Sequence, residues 1–310
     1  MQVHRSLEGL PDFHHPVLTL GTFDGVHMGH RRILQRVREI ADEQGGEAVL
    51  LTFFPHPRLV LNPEDNSLKL LSTLEEKAEL LEAQGIDHLV VLPFDVQFAR
   101  MAAEAFVKDV LLQSLRMESL VVGYDHRFGA GRTGDFQLLC DMAKIHGFQV
   151  EEIPAAWVDD VRVSSTKVRN ALLAGEVGEA ARWLGYTYSF EGMVVHGRKL
   201  GRELGYPTAN IEPLDSLKLI PGIGVYAVEV ETPSGIYGGM ANVGNNPTIP
   251  GKGFSIEAHL FGFEGDIYDI AVRLKFRSFL RNELKFNNLN ALQEQLHIDK
   301  KEALRQLMAV

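Results

Sequence analysis

The sequence predicts an α/β chain in two parts: a parallel sheet with helices on both faces over residues 1–185, then a small antiparallel β-barrel with a C-terminal helix over 186–310. Three observations carry that prediction. The 310 residues exceed the usual size of one domain. From Val17 to about Gly185, apolar strand-like runs alternate with helical patterns, the order that builds a parallel sheet. Beyond Gly185 the pattern turns to short alternating runs separated by turn residues such as Pro221-Gly222 and Pro250-Gly251, as in a small antiparallel barrel or sandwich.

In the first part the expected strands are 17–20, 48–54, 88–92, 120–123 and 148–153, and the expected helices 29–43, 74–84, 102–115 and 135–146. Thr73 with Glu76 three residues on is a capping box for the second helix. Parallel sheets bind ligands at the carboxyl ends of their strands, which puts the loops 21–30, 52–58, 92–98 and 123–134 on one rim. In the second part the expected strands are 186–195, 225–230, 236–243, 255–261 and 272–276. A helix over 289–308 would turn Leu289, Leu292, Leu296, Leu304 and Leu307 toward the body.

Composition narrows the classes. Hydrophobic residues make up 45% and charged ones 23%, ordinary for a soluble globular chain. The formal charge is −10, and residues 186–310 hold 13 Lys/Arg against 14 Asp/Glu, leaving 18 against 27 in the first part. Neither part has the basic footprint of a nucleic-acid binder. The single Cys140 sits among Leu138, Leu139 and Met142, reads as a small buried hydrophobe, and excludes an internal disulfide. No apolar run has the length of a signal-peptide core or a membrane span, so the expected compartment is the cytoplasm and no membrane partner is expected.

The chemistry concentrates in Gly21-Thr22-Phe23-Asp24-Gly25-Val26-His27-Met28-Gly29-His30. A strand, a glycine-rich turn and a helix start expose unpaired N–H groups where a phosphate can sit. His27 and His30, three apart, project from one side beside them and can donate hydrogen bonds to developing phosphate charge. The same spacing could hold a metal, with Asp24 or His14 as further ligands. Thr52-Phe53-Phe54-Pro55-His56-Pro57 reads as a rigid turn or a binding loop. Gly123-Tyr124-Asp125-His126-Arg127-Phe128-Gly129 mixes acid, base and aromatics suited to a nucleobase, a sugar or a flat ring. Pro93 to Met101, with Phe98, is the weaker of the rim loops. Ser164 or Ser165 reads as the N-cap of a helix through Leu173, and Arg162, Lys167 and Arg169 put cations where a helix favours anions. That points to a second phosphate clamp.

In the second part, His196 to Asn210 joins a basic glycine loop to a rigid polar turn. Arg198, Lys199 and Arg202 could fold over a polyphosphate or form a solvated hairpin tip, and Thr208 and Asn210 offer oxygen ligands to Mg²⁺. In Ile256-Glu257-Ala258-His259-Leu260, alternation puts Glu257 and His259 on the face opposite the apolar residues.

Taken together, the Gly21–His30 stretch, Thr52 to Pro57, Phe98-Ala99, Gly123 to Gly129 and Ser164-Ser165-Thr166 to Arg169 resemble, in order, the elements of bacterial FAD synthetase. His126 departs from the phenylalanine expected there. Pro207-Thr208-Ala209-Asn210, the Glu257 strand, Asp266-Ile267-Tyr268, Asn246-Pro247-Thr248 and Leu280-Arg281 to Lys285-Phe286 resemble riboflavin kinase, with Asn245 and Asp269 as departures. The resemblance covers nearly the whole chain. It implies a Rossmann-like nucleotidyltransferase domain and a kinase barrel that turn riboflavin into FMN and FMN into FAD, each step using ATP. For adenylyl transfer it implies His27 and His30 as catalytic, and Gly21, Phe23, Asp24, Gly29, Asp125, Ser165, Thr166 and Arg169 around ATP. Pro57, Phe98, Phe128 and Arg162 would hold the flavin. For the kinase it implies Glu257 as catalytic, Gly197, Lys199, Gly201, Arg202, Thr208 and Asn210 around ATP, Mg²⁺ on Thr208 and Asn210, and Arg281 at the flavin. A homo-oligomer stays open, as do two rival readings: a nucleotidyltransferase with another substrate, such as a tRNA-bound amino acid, and a non-catalytic flavin-binding protein.

Overall fold

A computed structural model describes residues 1–65, 67–124, 126–154, 157–158, 161–197, 205–245 and 253–308. Asp125, Lys199, Gly201 and Arg202, named above, lie outside the described residues, as do Arg198, the 246–248 segment and the side chain of Arg162. The chain divides into two compact units, Met1–Ser164 and Ser165–Val310.

The first unit is built on a six-stranded parallel sheet. Its strands are β1 (Gln2–His4), β2 (Val17–Leu20), β3 (Ala48–Phe54), β4 (His88–Pro93), β5 (Ser119–Gly123) and β6 (Gln149–Ile153). The spatial order is β1-β4-β3-β2-β5-β6, so β2 and the turn that follows it lie near the middle. The helices are α1 (Met28–Gln44), α2 (Pro57–Leu61), α3 (Leu74–Glu82), α4 (Ala103–Ala105, continuing as a π-helix over Phe106–Ser114) and α5 (Phe136–His146). The strands are apolar on both sides because helices cover both faces. Leu18, Leu20, Val49, Leu51 and Val90 pack with Phe106, Val110 and Leu139. Val17, Leu50, Leu89 and Val121 pack with Leu34, Val37, Ile40 and Leu81. Two findings differ from expectation. β1 was not foreseen, because its three residues are largely exposed and carry no apolar run. Cys140 is half-buried rather than buried, between the buried Leu139 and Met142.

The second unit opens with α6 (Ser165–Leu173) and α7 (Val177–Leu184) and continues into a closed antiparallel barrel. The barrel strands are β9 (Ser189–Val195), β10 (Ala209–Pro213), β11 (Gly224–Thr232), β12 (Gly235–Gly244), β13 (Ser255–Leu260) and β14 (Ala271–Arg281), following a short hairpin, β7 (Trp157–Val158) with β8 (Val161–Arg162), at the end of the first unit. Their order is β10-β13-β12-β11-β14-β9. Phe190, Tyr226, Val228, Leu274 and Phe276 are fully buried in it. Opposite charges pair between neighbouring strands, as Arg273 with Glu191 at 2.6 Å. β10 corrects the reading of Pro207 to Asn210 as a turn alone: from Ala209 the chain is a strand, and it closes the barrel between β9 and β13. α6 and α7 attach here, with the Gly222 N–H donating to the Leu172 carbonyl at 2.8 Å. The last helix, α8 (Leu289–Met308), packs Leu296, Ala303 and Leu307 against Tyr206 and Met240. Leu289 is exposed rather than inward, since it opens the helix beyond that contact.

Candidate active sites

In the first unit β2 delivers the chain into a turn of unusual backbone. Gly21 has φ 156° and Gly25 φ 78°, while Phe23 (φ 44°) and Val26 (φ 38°) hold left-handed conformations without being glycine. A β-branched residue there is strained and persists only where its surroundings impose it. The imposing contacts come from the segment before α3. The buried Asp24 carboxylate accepts the N–H groups of Leu71 at 2.9 Å and Ser72 at 3.1 Å. The Gly25 N–H donates to the Ser72 hydroxyl at 3.1 Å. Asp24, expected around ATP, thus also ties the turn to its neighbour.

His27 is the N-cap of α1, its Nδ1 accepting the His30 N–H at 3.3 Å. That bond places the neutral ring's proton on Nε2. The His27 and His30 rings stack at 3.6 Å and 13°. Stacked rings cannot both aim a lone pair at one ion, and among the described residues no group of three His, Cys, Asp or Glu could hold a metal. The metal reading of this pair finds no support. His30 Nδ1 is buried with no hydrogen-bond partner among the described residues. Burial first, then the neighbouring His27 and Lys77, hold His30 well below the usual histidine range. The neutral ring is a hydrogen-bond donor in waiting rather than a cation.

Lys77 itself was missed. It lies on α3 at the spacing of Leu74, Ala78 and Leu81, and it is 8% exposed. The available signal was a cation inside an apolar helical stripe.

The other rim loops meet in an aromatic cluster. Phe98 stands 5.6 Å from Phe53, 5.8 Å from Phe94 and 6.0 Å from Phe106 between ring centres. Phe128 lies 5.8 Å from Phe106 and stacks on His126 at 5.7 Å. Phe98 and Phe128 therefore belong to one aromatic cluster, with Phe128 buried in the core and Phe98 partly buried against it, and Pro57 opens α2. Burial, with Arg132 nearby, lowers His126 to about 4. Ser165, Thr166 and Arg169 lie in the first turns of α6, which opens at Ser165 in the second unit.

In the barrel, register assembles the second site. Glu257 on β13 stands opposite Asn210 of β10 on one side and Asn242 of β12 on the other. The Thr208 hydroxyl donates to Glu257 Oε2 at 3.3 Å, and the Ser255 hydroxyl to Oε1 at 3.0 Å. Gly197 makes room for this row, since a Cβ there would lie 2.0 Å from Asn210 Nδ2. A cleft lined by Pro207, Thr208, Leu260, Phe263, Asp266 and Tyr268 opens beside Thr208. His259 is buried, and its Nδ1 bonds the Pro207 carbonyl at 2.7 Å, bracing the turn that presents Thr208. Arg281 forms a two-pronged bond to Asp299 of α8 at 2.9 and 2.7 Å, with Phe286 5.9 Å from its guanidinium. Asp299 is buried and was missed, because a single acid in an exposed-looking helix gives no warning that it is covered.

Two family models match the chain: FAD synthetase over residues 11–167 and riboflavin kinase over 184–307. The class is therefore a nucleotidyltransferase unit joined to a flavokinase barrel. A bifunctional riboflavin kinase/FMN adenylyltransferase of Pseudomonas fluorescens is 39% identical over 301 residues, covering 96% of each chain. The protein of that name from Listeria monocytogenes is 37% identical, covering 93% of this chain and 95% of its own. A solved structure described as a macrolide-efflux protein from Streptococcus pneumoniae is 31% identical, covers 96% of this chain and 97% of its own, and superposes with a TM-score of 0.86. The chain belongs to the bifunctional riboflavin kinase/FMN adenylyltransferase family. Among the described residues no helix is long and apolar enough to cross a membrane.

Proposed function

We propose that the chain performs both steps of its family from two separate sites, and that the residues named above divide the work as follows. In the barrel, ATP phosphorylates the 5′-hydroxyl of riboflavin to give FMN. Glu257 takes the hydroxyl proton as the oxygen attacks the γ-phosphate. Its position between Asn210 and Asn242, with Thr208 and Ser255 bonding its two oxygens, is the observation that carries this assignment. Thr208, whose hydroxyl is bonded to that carboxylate, and Asn210, paired with Glu257 across the strands, offer hard oxygens that suit Mg²⁺. The ion, when bound, would offset charge on the transferring phosphoryl group. Gly197, Lys199, Gly201 and Arg202 are assigned to ATP, and Arg281, steadied by Asp299, to the flavin.

In the first unit the FMN phosphate attacks the α-phosphate of a second ATP and releases pyrophosphate. A phosphate monoester needs no general base, so the work is positioning and charge stabilisation by His27, His30 and the start of α1. Gly21, Phe23, Asp24 and Gly29 shape that turn. The aromatic cluster with Phe98 and Phe128, together with Pro57 and Arg162, is assigned to the flavin ring. Asp125, Ser165, Thr166 and Arg169 are assigned to ATP on their sequence motifs. The substrates are small molecules, the net charge of −10 argues against a nucleic-acid partner, and the proposed compartment is the cytoplasm.

The test supplies riboflavin or FMN with ATP and Mg²⁺ and resolves FMN and FAD by chromatography. Glu257→Gln should cut FMN formation by about 10²–10⁴-fold, the usual worth of a positioned base. FAD formation from supplied FMN should persist. Loss of both activities in a folded variant would refute separate sites.

A further inference from the structure

Lys77 is a charge in the wrong place for a structural residue. On α3 it shares the stripe Leu74, Ala78 and Leu81, whose members pack with Phe23 and Val26 of the glycine-rich turn. A helix places its i, i+3, i+4 and i+7 positions on one face. The lysine therefore looks where those apolar residues look, toward the turn. Leu71 and Ser72, just before α3, are bonded to Asp24 and Gly25, so the helix start is tied to the turn. Among the described residues the Lys77 ammonium forms no hydrogen bond or contact ion pair; it feels Asp24 and His30 only at longer range. Burial holds it below the usual lysine range. An ammonium removed from water without a partner is costly, and side chains of this kind are kept where a ligand completes them. A few steps away His30 Nδ1 is buried and unbonded as well. Two incomplete donors beside a helix start together call for an anion with several oxygens.

We propose that Lys77 is a further substrate-binding residue of the adenylyl-transfer site, its ammonium holding the β- and γ-phosphates of ATP and then the pyrophosphate that leaves. The inference rests on the first unit being that site. As an FMN phosphate oxygen bonds the α-phosphorus, the bond from that phosphorus to the α,β-bridging oxygen breaks. The electron pair and negative charge go to pyrophosphate, and Lys77 offsets them without giving up a proton.

The direct test runs the reaction backward in the full chain, making FMN and ATP from FAD and pyrophosphate. Lys77→Met keeps the length of the side chain and removes its charge. It should raise the KM for pyrophosphate at least tenfold, leave the KM for FAD within twofold, and leave riboflavin phosphorylation unchanged, with Lys77→Arg recovering part of the loss. Equal changes in both KM values, or a pyrophosphate KM within twofold of the parent, would overturn the assignment. A parent unable to run the reaction in either direction would instead sink the reading of the unit, and Lys77 with it. Should Lys77→Met fail to fold, acetylation of the unaltered protein, read by peptide mass spectrometry, decides. Pyrophosphate must slow labelling of Lys77 and spare the exposed Lys144; equal labelling of Lys77 with and without it refutes the proposal.

Discussion

His126 carries a chemical consequence of its burial that activity assays would not reveal. The ring stacks on Phe128, its Nε2 has no partner among the described residues, and burial lowers it to about 4. In the unfolded chain the same ring titrates near 6.5. Between those values only the unfolded chain takes up the proton, so this group's contribution falls as the pH drops and is constant above about 6.5. At pH 5 the linkage amounts to about 2 kcal/mol. In His126→Phe, the stability of the first unit, measured by urea unfolding, should fall less between pH 7 and pH 5 than in the parent, by about that amount. An identical fall in both would refute the burial. His30 shifts the same way, so some pH dependence should remain in the variant. At this scale the histidine pair was legible, because its spacing and its place at a helix start are local facts. Lys77 and Asp299 were not, because burial of a single charge depends on what the rest of the chain lays over it.

Helices and strands convert those residues into sites. The capping box of Thr73 and Glu76, readable from four letters, is present, the Glu76 N–H bonding Thr73 at 3.2 Å and the Thr73 N–H bonding Glu76 at 2.9 Å. Its larger role is to start α3 where Leu71 and Ser72 can hold Asp24. In the barrel the decisive element is β10, which brings Asn210 opposite Glu257. Gly197, just past β9, leaves the space into which the Asn210 side chain fits. Gly197→Ala would put a methyl group 2.0 Å from Asn210 Nδ2, so the amide must swing away. Riboflavin phosphorylation should drop about tenfold or more, on the order of 1.4 kcal/mol of transition-state stabilisation. FAD formation from FMN should stay at the parent rate. Unchanged phosphorylation would show that the placement of Asn210 is dispensable. β10 escaped sequence reading because its five residues, Ala209 to Pro213, alternate too weakly to be told from a turn.

For the molecule as a whole, the division between units makes its own prediction. The kinase family model begins at 184, yet α6 and α7 lie in the compact unit that starts at Ser165. Leu172, Val177, Ala180 and Leu184 are buried, and the Leu172 carbonyl is bonded to Gly222 before β11. A fragment of residues 165–310 should therefore unfold at a higher temperature than one of residues 186–310. Equal midpoints, with equal kinase activity, would assign the two helices to the first domain.

Sequence alone determined the two-part architecture, the parallel sheet, the glycine-rich turn with His27 and His30, and the family, since strand alternation, helix periodicity and motif spacing act over a few neighbouring residues. Only the tertiary structure decided that Asp24 straps its turn to α3, that Glu257 stands between two asparagines, and that Lys77 and Asp299 are covered. Those are relations between segments from about 15 to about 50 residues apart, set by strand register and packing rather than by any local pattern of letters.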